Sequence, residues 1–238
     1  MKQLILIFFI KVLFFITAHA QIVIDGKFDD WKGVKFQYDE RNKLHYAFQR
    51  DNDFLYIRIL KDYNGGKVMS GGGVQLFFDK KETDSTSFII SYAHLTSWQK
   101  FEQLTSNVLE YLEIDNCGPI RNQVLPKYND YGILVECTYE DNMPKEGIIP
   151  YNPKNDFKSV FDSEIQIPLE LLEKNFGNNI YFKIRLRGGD IALKGESDVI
   201  RRNLFSVQQL NEVIETRKLY ERMFYTEFTR NIMLSDLN

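Results

Sequence analysis

Four carboxylates, Asp62, Asp79, Glu136 and Glu164, lie on or beside stretches with strand patterning. Two of them facing across a cleft is the arrangement that hydrolyses a glycosidic bond. No spacing singles out such a pair, and with 33 acidic residues in a chain of 238, chance pairs are expected. There is no G-x-S-x-G elbow and no H-E-x-x-H pattern, and Gly71-Gly72-Gly73 lacks the lysine and hydroxyl with which a glycine loop cradles phosphate. The histidines His19, His45 and His94 are too few for a His-rich metal site, and two cysteines do not complete a zinc site. No catalytic residue, metal ligand or cofactor is therefore assigned. Calcium is left open: Asp29 and Asp30 read as solvated turn residues, with capping or cation binding as the alternatives. What remains is recognition. Trp98, in the polar stretch Thr96-Ser97-Trp98-Gln99-Lys100, is a candidate stacking platform, with Tyr63 and Tyr92 in neighbouring segments. The competing reading of Trp98 is a ring folded over the edge of the domain.

The elements that would position these residues are strands. Apolar residues alternate at Leu44, Tyr46 and Phe48, at Leu55, Ile57 and Ile59, at Val74, Leu76 and Phe78, and at Phe88, Ile90 and Tyr92. The pattern returns at Ile133, Val135, Cys137 and Tyr139, at Phe161, Ser163, Ile165 and Ile167, and at Ile180, Phe182, Ile184 and Leu186. Turn chemistry separates the runs at Asn64-Gly65-Gly66, Gly71-Gly72-Gly73, Asn129-Asp130, Asn152-Pro153 and Gly188-Gly189-Asp190. Many strands without long helical crossovers predict an all-β antiparallel sandwich. One short helix is expected over 168–175, with Pro168 in its first turn and Gly177 at its exit. From Val207 onward, Leu210, Val213, Ile214, Tyr220, Met223, Phe224, Phe228 and Ile232 recur at helical spacing, which predicts an amphipathic helix of about seven turns.

The first twenty residues carry Lys2 and Lys11, no acid, two short apolar runs and a closing Ala18-His19-Ala20. They read as a cleavable secretory leader, cut before Gln21, and neither apolar run reaches the roughly 20 residues that span a bilayer. The expected organisation is a leader over 1–20, a β-sandwich over 21–205 and a helical extension over 206–238, in a secreted, periplasmic or cell-envelope protein without a membrane span. Loss of two lysines leaves 28 of the 30 basic residues against 33 acidic ones, a mild net charge near −5 that argues against nucleic acid as partner. Cys117 and Cys137 flank a turn-rich stretch in an exported chain, so a disulfide and two buried thiols are both open.

Four motifs occur in order: Ile24-Asp25-Gly26-Lys27-Phe28-Asp29-Asp30-Trp31, then Asp51-Asn52-Asp53-Phe54-Leu55-Tyr56-Ile57 with Lys61-Asp62, then Gly73-Val74-Gln75-Leu76-Phe77-Phe78-Asp79, and finally Glu164-Ile165-Gln166-Ile167-Pro168. Together they resemble the family 9 carbohydrate-binding modules and the wider DOMON-like group, over about residues 25 to 190. The resemblance implies a jelly-roll type, immunoglobulin-like sandwich and a non-catalytic role in binding oligo- or polysaccharide. Trp31 reads as core, and Asp25-Gly26 as a turn. The family's sugar clamp is not matched: Gln75 stands for the binding acid, Met69 and the Ile200-Arg201 region for the two stacking tryptophans, and Ser87 for a binding amide. Some DOMON domains hold haem between Met and His; Met69 and His94 read here as packing and loop residues.

A surviving site is expected on the sheet face bearing Gln75, whose side chain alternates with Val74 and Leu76 and points away from the apolar face. Arg185, opposite Ile184 and Leu186, supplies a planar donor fork for hydroxyl pairs or a uronic carboxylate, and Trp98 and Tyr63 complete the candidate ligand-binding set. The alternative is an extracytoplasmic interaction or assembly protein that meets a protein partner through the sandwich and residues 207–234. The leader has a direct test. Mass spectrometry of the exported protein is expected to find its amino terminus at Gln21, and a retained Met1 would overturn the assignment.

Overall fold

The computed structural model describes residues 22–40, 42–71, 73–82, 87–93, 108–117, 120–140, 159–186 and 225–237. Alternating patterns become strands β1 (Gln37–Asp39), β2 (Leu44–Arg50), β3 (Phe54–Lys61), β4 (Val74–Asp79), β5 (Phe88–Tyr92) and β6 (Tyr111–Asp115). Beyond these run β7 (Gln123–Pro126), β8 (Leu134–Glu140), β9 (Val160–Pro168), β10 (Asn179–Leu186) and β11 (Thr226–Met233). They form two antiparallel sheets, one in the order β1-β2-β3-β9-β8, the other β11-β10-β4-β5-β6-β7. The expected sandwich is what the chain folds into. Every apolar run named from the sequence faces the space between the sheets, where Ile57, Leu76, Phe78, Ile90, Ile165 and Phe182 are wholly buried. Tyr92, weighed as a platform, belongs to this core, and its hydroxyl meets Ser163 Oγ of the opposite sheet at 3.1 Å.

Two helices are short. Helix α1 (Gly66–Gly71) carries the chain from β3 to β4 across a point of close approach, since a Cβ on Gly65 would stand 2.5 Å from the Phe161 backbone nitrogen. Helix α2 (Leu169–Phe176) falls where it was expected, one residue later at each end. Pro168 precedes it, and the Gly177 N–H closes its last turn on Glu173 O at 2.8 Å with φ 75°. No helix among the described residues is long and apolar enough to cross a membrane.

The carboxyl end corrects the sequence reading. Residues 226–233, placed in the amphipathic helix, form the edge strand β11, which pairs with β10 from Thr226↔Leu186 to Asn179↔Met233. Phe228 and Ile232 are four apart, a spacing that puts two residues on one face of a helix and equally on one face of a strand. The β-rich stretch Thr226 to Ile232 and the open edge of β10 decide for the strand. Residues 207–224 of the expected helix lie outside the described residues.

Both sides of the sandwich are tied. At one, Arg230 Nη1 donates to Tyr46 OH at 3.1 Å, the Tyr46 and Phe228 rings are 4.7 Å apart, and Arg50 Nη1 donates to Leu234 O at 3.0 Å. At the other, Lys127 reaches Glu136 at 2.9 Å and Glu110 at 3.3 Å, and the Tyr128 hydroxyl donates to Glu136. Cys117 lies in the turn after β6 and Cys137 on β8, and both thiols are free, so the disulfide weighed from the sequence is not formed. Burial pushes the Cys117 thiol up to about 11 and raises Cys137 further in the same direction.

The outward face of the five-stranded sheet is covered by the amino-terminal segment. Ile22, Ile24 and Trp31 pack on Ala47 and Tyr56, with Phe28, Val34 and Phe36 around them, in a second, smaller core. A buried carboxylate holds this segment. Glu164 Oε1 accepts the N–H groups of Asp25 at 2.8 Å and Gly26 at 2.7 Å, and Oε2 accepts the Trp31 indole N–H at 2.9 Å. Beside it, Arg58 forks onto both oxygens of Asp162 at 3.1 and 2.7 Å, and its guanidinium lies 4.4 Å from the Phe28 ring centre and 5.2 Å from that of Phe36. Burial raises the carboxyls of Glu164 and Asp162 above their ordinary values, against the pull of these donors.

Glu164→Gln keeps two acceptor positions but turns an amide NH2 toward one of the three donors. It is expected to lose about 1–3 kcal/mol of stability and to shift Trp31 fluorescence. The raised Glu164 carboxyl binds its proton more tightly in the folded state, so its contribution rises as pH falls through the folded value toward the ordinary 4.5. Denaturant titrations of both proteins are therefore expected to show the gap between parent and variant widening from pH 7 to 4.5; a gap that narrows overturns the assignment.

Candidate functional site

With one sheet covered on its outside by the amino-terminal segment, the six-stranded sheet carries the face on which Gln75 was placed. Residues paired directly across antiparallel strands point to the same side, so the register lays out that face. Glu227 of β11 pairs with Arg185 of β10, Arg185 with Gln75 of β4, Gln75 with Ser91 of β5, and Ser91 with Glu113 of β6. One hydrogen-bonding side chain from each of five neighbouring strands thus forms a continuous polar row. The sequence forces this for four of the five: Gln75 alternates with Val74 and Leu76, Arg185 with Ile184 and Leu186, Ser91 with Ile90 and Tyr92, and Glu113 with Leu112 and Ile114, all residues of the inner core.

The members hold one another. Gln75 Nε2 donates to Ser91 Oγ at 3.1 Å. Arg185 gives Nε and Nη2 to the same oxygen, Glu227 Oε2, at 3.1 and 3.0 Å. The guanidinium of Arg185 stands 4.8 Å from the ring centre of Phe77 and 4.8 Å from that of Tyr225, while Lys183 Nζ stands 4.3 Å from the Phe77 ring. Phe77 points outward with Gln75 yet is 6 % exposed, and Ser91 is 3 % exposed. Both are covered, whereas Gln75, Arg185 and Glu227 are half-buried. At the next level Asp79 Oδ2 accepts a hydrogen bond from Ser87 Oγ at 2.9 Å.

Of the four ligand-binding residues taken from the sequence, the structure brings Gln75 and Arg185 side by side as cross-strand partners. Tyr63 follows β3, and its ring takes the ammonium of Lys43 at 5.2 Å, beside β2. Trp98 lies outside the described residues, as do Ile200 and Arg201. Met69 packs against the main core. Sequence reasoning missed Phe77, Tyr225, Glu227, Ser91 and Glu113. Alternation carried the signal for Phe77, Ser91 and Glu113, whereas the helical reading of the carboxyl end hid Tyr225 and Glu227.

The four acids considered for hydrolysis go to separate duties. Glu164 binds the amino-terminal segment, Glu136 meets Lys127 and Tyr128, Asp62 lies 3.4 Å from His45 Nε2, and Asp79 meets Ser87. Asp29 pairs with Lys32 in its own turn at 2.9 Å, and Asp30 accepts the Val23 N–H, seven residues earlier, at 2.6 Å. Among the described residues no group of three or more His, Cys, Asp or Glu side chains is placed to hold a metal ion.

Comparison with known proteins adds little. No family model matches the chain, and no curated protein matches it. A solved structure similar to it is a family 9 carbohydrate-binding module from Caldicellulosiruptor kristjanssonii, in complex with glucose. It is 14 % identical, with 71 % of this chain and 74 % of that chain covered and a TM-score of 0.35. A likeness that slight assigns neither family nor function, and the functional reading rests on the site itself.

Proposed function

We propose that the protein is an exported, non-catalytic module that binds carbohydrate on the outward face of the six-stranded sheet. The observation that carries this reading is the row Glu227, Arg185, Gln75, Ser91 and Glu113, the first three half-buried and the last two buried, set beside the rings of Phe77 and Tyr225. A sugar hydroxyl both donates and accepts. It is matched by an amide, a serine hydroxyl and a paired guanidinium and carboxylate, which together offer both functions along one line. Aromatic rings beside polar groups supply the apolar contact that hydrogen bonds traded against water need as a complement. A sandwich also holds these groups on strands, so little ordering is left for the ligand to bring about.

The non-catalytic part of the reading is supported by distance. The two carboxylates of the row, Glu227 and Glu113, are four strand spacings apart, roughly 19 Å at 4.7–4.9 Å each. A glycosidase pair stands at about 5–9.5 Å. Export is supported by the leader pattern over residues 1–20.

Affinity electrophoresis against a panel of polysaccharides tests the proposal. Retardation on at least one is expected, and Gln75→Ala is expected to weaken it about tenfold, the value of one or two hydrogen bonds, with thermal stability nearly unchanged. Absence of retardation on every polysaccharide, or an unaffected Gln75→Ala variant, overturns it.

A further inference from the structure

The strongest cation of the row is already engaged. Two of the Arg185 nitrogens converge on a single oxygen of Glu227, and the guanidinium stands 4.8 Å from each of two ring centres, those of Phe77 and Tyr225. The side chains of the pair are 28 % and 17 % exposed, so the contact is only partly opened to water and is screened less than a surface pair. An incoming carboxylate that sought the Arg185 fork would have to stand against Glu227, where like charges at a half-buried pair repel. An uncharged hydroxyl meets no such barrier: it can donate to the Glu227 carboxylate and accept from the guanidinium without separating them.

We propose that Glu227 sets the charge class of the ligand. By binding Arg185 it reserves the face for neutral sugars and excludes uronic acids. This rests on the carbohydrate reading and goes beyond it, because the row without Glu227 would offer the Arg185 fork to an anion. Glu227 is thereby a specificity residue supplied by the edge strand β11, which enters the site through its pairing with β10.

The test compares the parent chain, Glu227→Gln and the double variant Glu227→Gln/Arg185→Gln on neutral probes (a β-glucan, a xylan and a mannan) and on polygalacturonate. The parent is expected to be retained by at least one neutral probe and to pass polygalacturonate freely. Glu227→Gln is expected to gain about tenfold or more in retention on polygalacturonate, the gain disappearing at high salt and in the double variant. Parent retention on polygalacturonate equal to that on the neutral probes overturns the proposal, and this arm does not depend on how well any variant folds. A Glu227→Gln protein with no gain on polygalacturonate also overturns it. In both of those cases parent retention on a neutral probe leaves the carbohydrate reading standing. No retention of any of the three proteins on any probe overturns both.

Discussion

The buried carboxylate of Glu164 is the interaction on which the arrangement of this sandwich depends. A charged group without exposure is tolerated only when its oxygens are satisfied, and here three N–H donors come from one short segment, residues 25 to 31. The need to satisfy Glu164 therefore fixes where the amino-terminal segment lies. Trp31 follows its indole N–H into the second core, and Phe28 and Phe36 close over Arg58, which is itself held by Asp162. The outside of the five-stranded sheet is thereby filled with protein. The polar row stands on the other sheet, and the division of labour between the two sheets follows from one carboxylate on β9.

That logic was half visible in the sequence. The D-G-x-x-D-D-W opening and the E-x-x-I-P strand were legible as motifs 133 residues apart, Trp31 to Glu164, but nothing in a linear pattern says that one accepts hydrogen bonds from the other. Asp25 and Gly26 were read as a turn that starts a strand. The structure uses their backbone N–H groups to bind Glu164, a role open to almost any residue type and so without a sequence signature.

Strand existence was legible wherever apolar residues alternated for three or more positions, since an inner face that must bury Leu76, Ile90 or Ile184 leaves no other register. Where the signal was short or ambiguous it failed. Strand β7 has four residues and ends in Pro126, which an edge tolerates, and β1 has three. Strand β6 alternates Leu112 and Ile114 with Glu113 and Asp115, yet it borders residues of mixed pattern. At β11, the four-residue step from Phe228 to Ile232 fits both periodicities, and the partner strand, with the β propensity of the stretch, breaks the tie. Edge strands are the elements whose identity is decided by what they pair with.

The site inherits this asymmetry. Gln75 and Arg185 sit on central strands, where alternation leaves one orientation, and they were placed on one face from the sequence and stand opposite each other in the register. Glu227 and Tyr225 arrive with the edge strand and were lost with it. Their arrival changes the chemistry of the face. A lone arginine beside an amide reads as an anion fork; an arginine bound to a glutamate beside two rings is a charge-compensated donor and acceptor pair. The charge pattern of the face is therefore set by a long-range pairing, residue 185 with residue 227, and belongs to the tertiary structure rather than to any local motif.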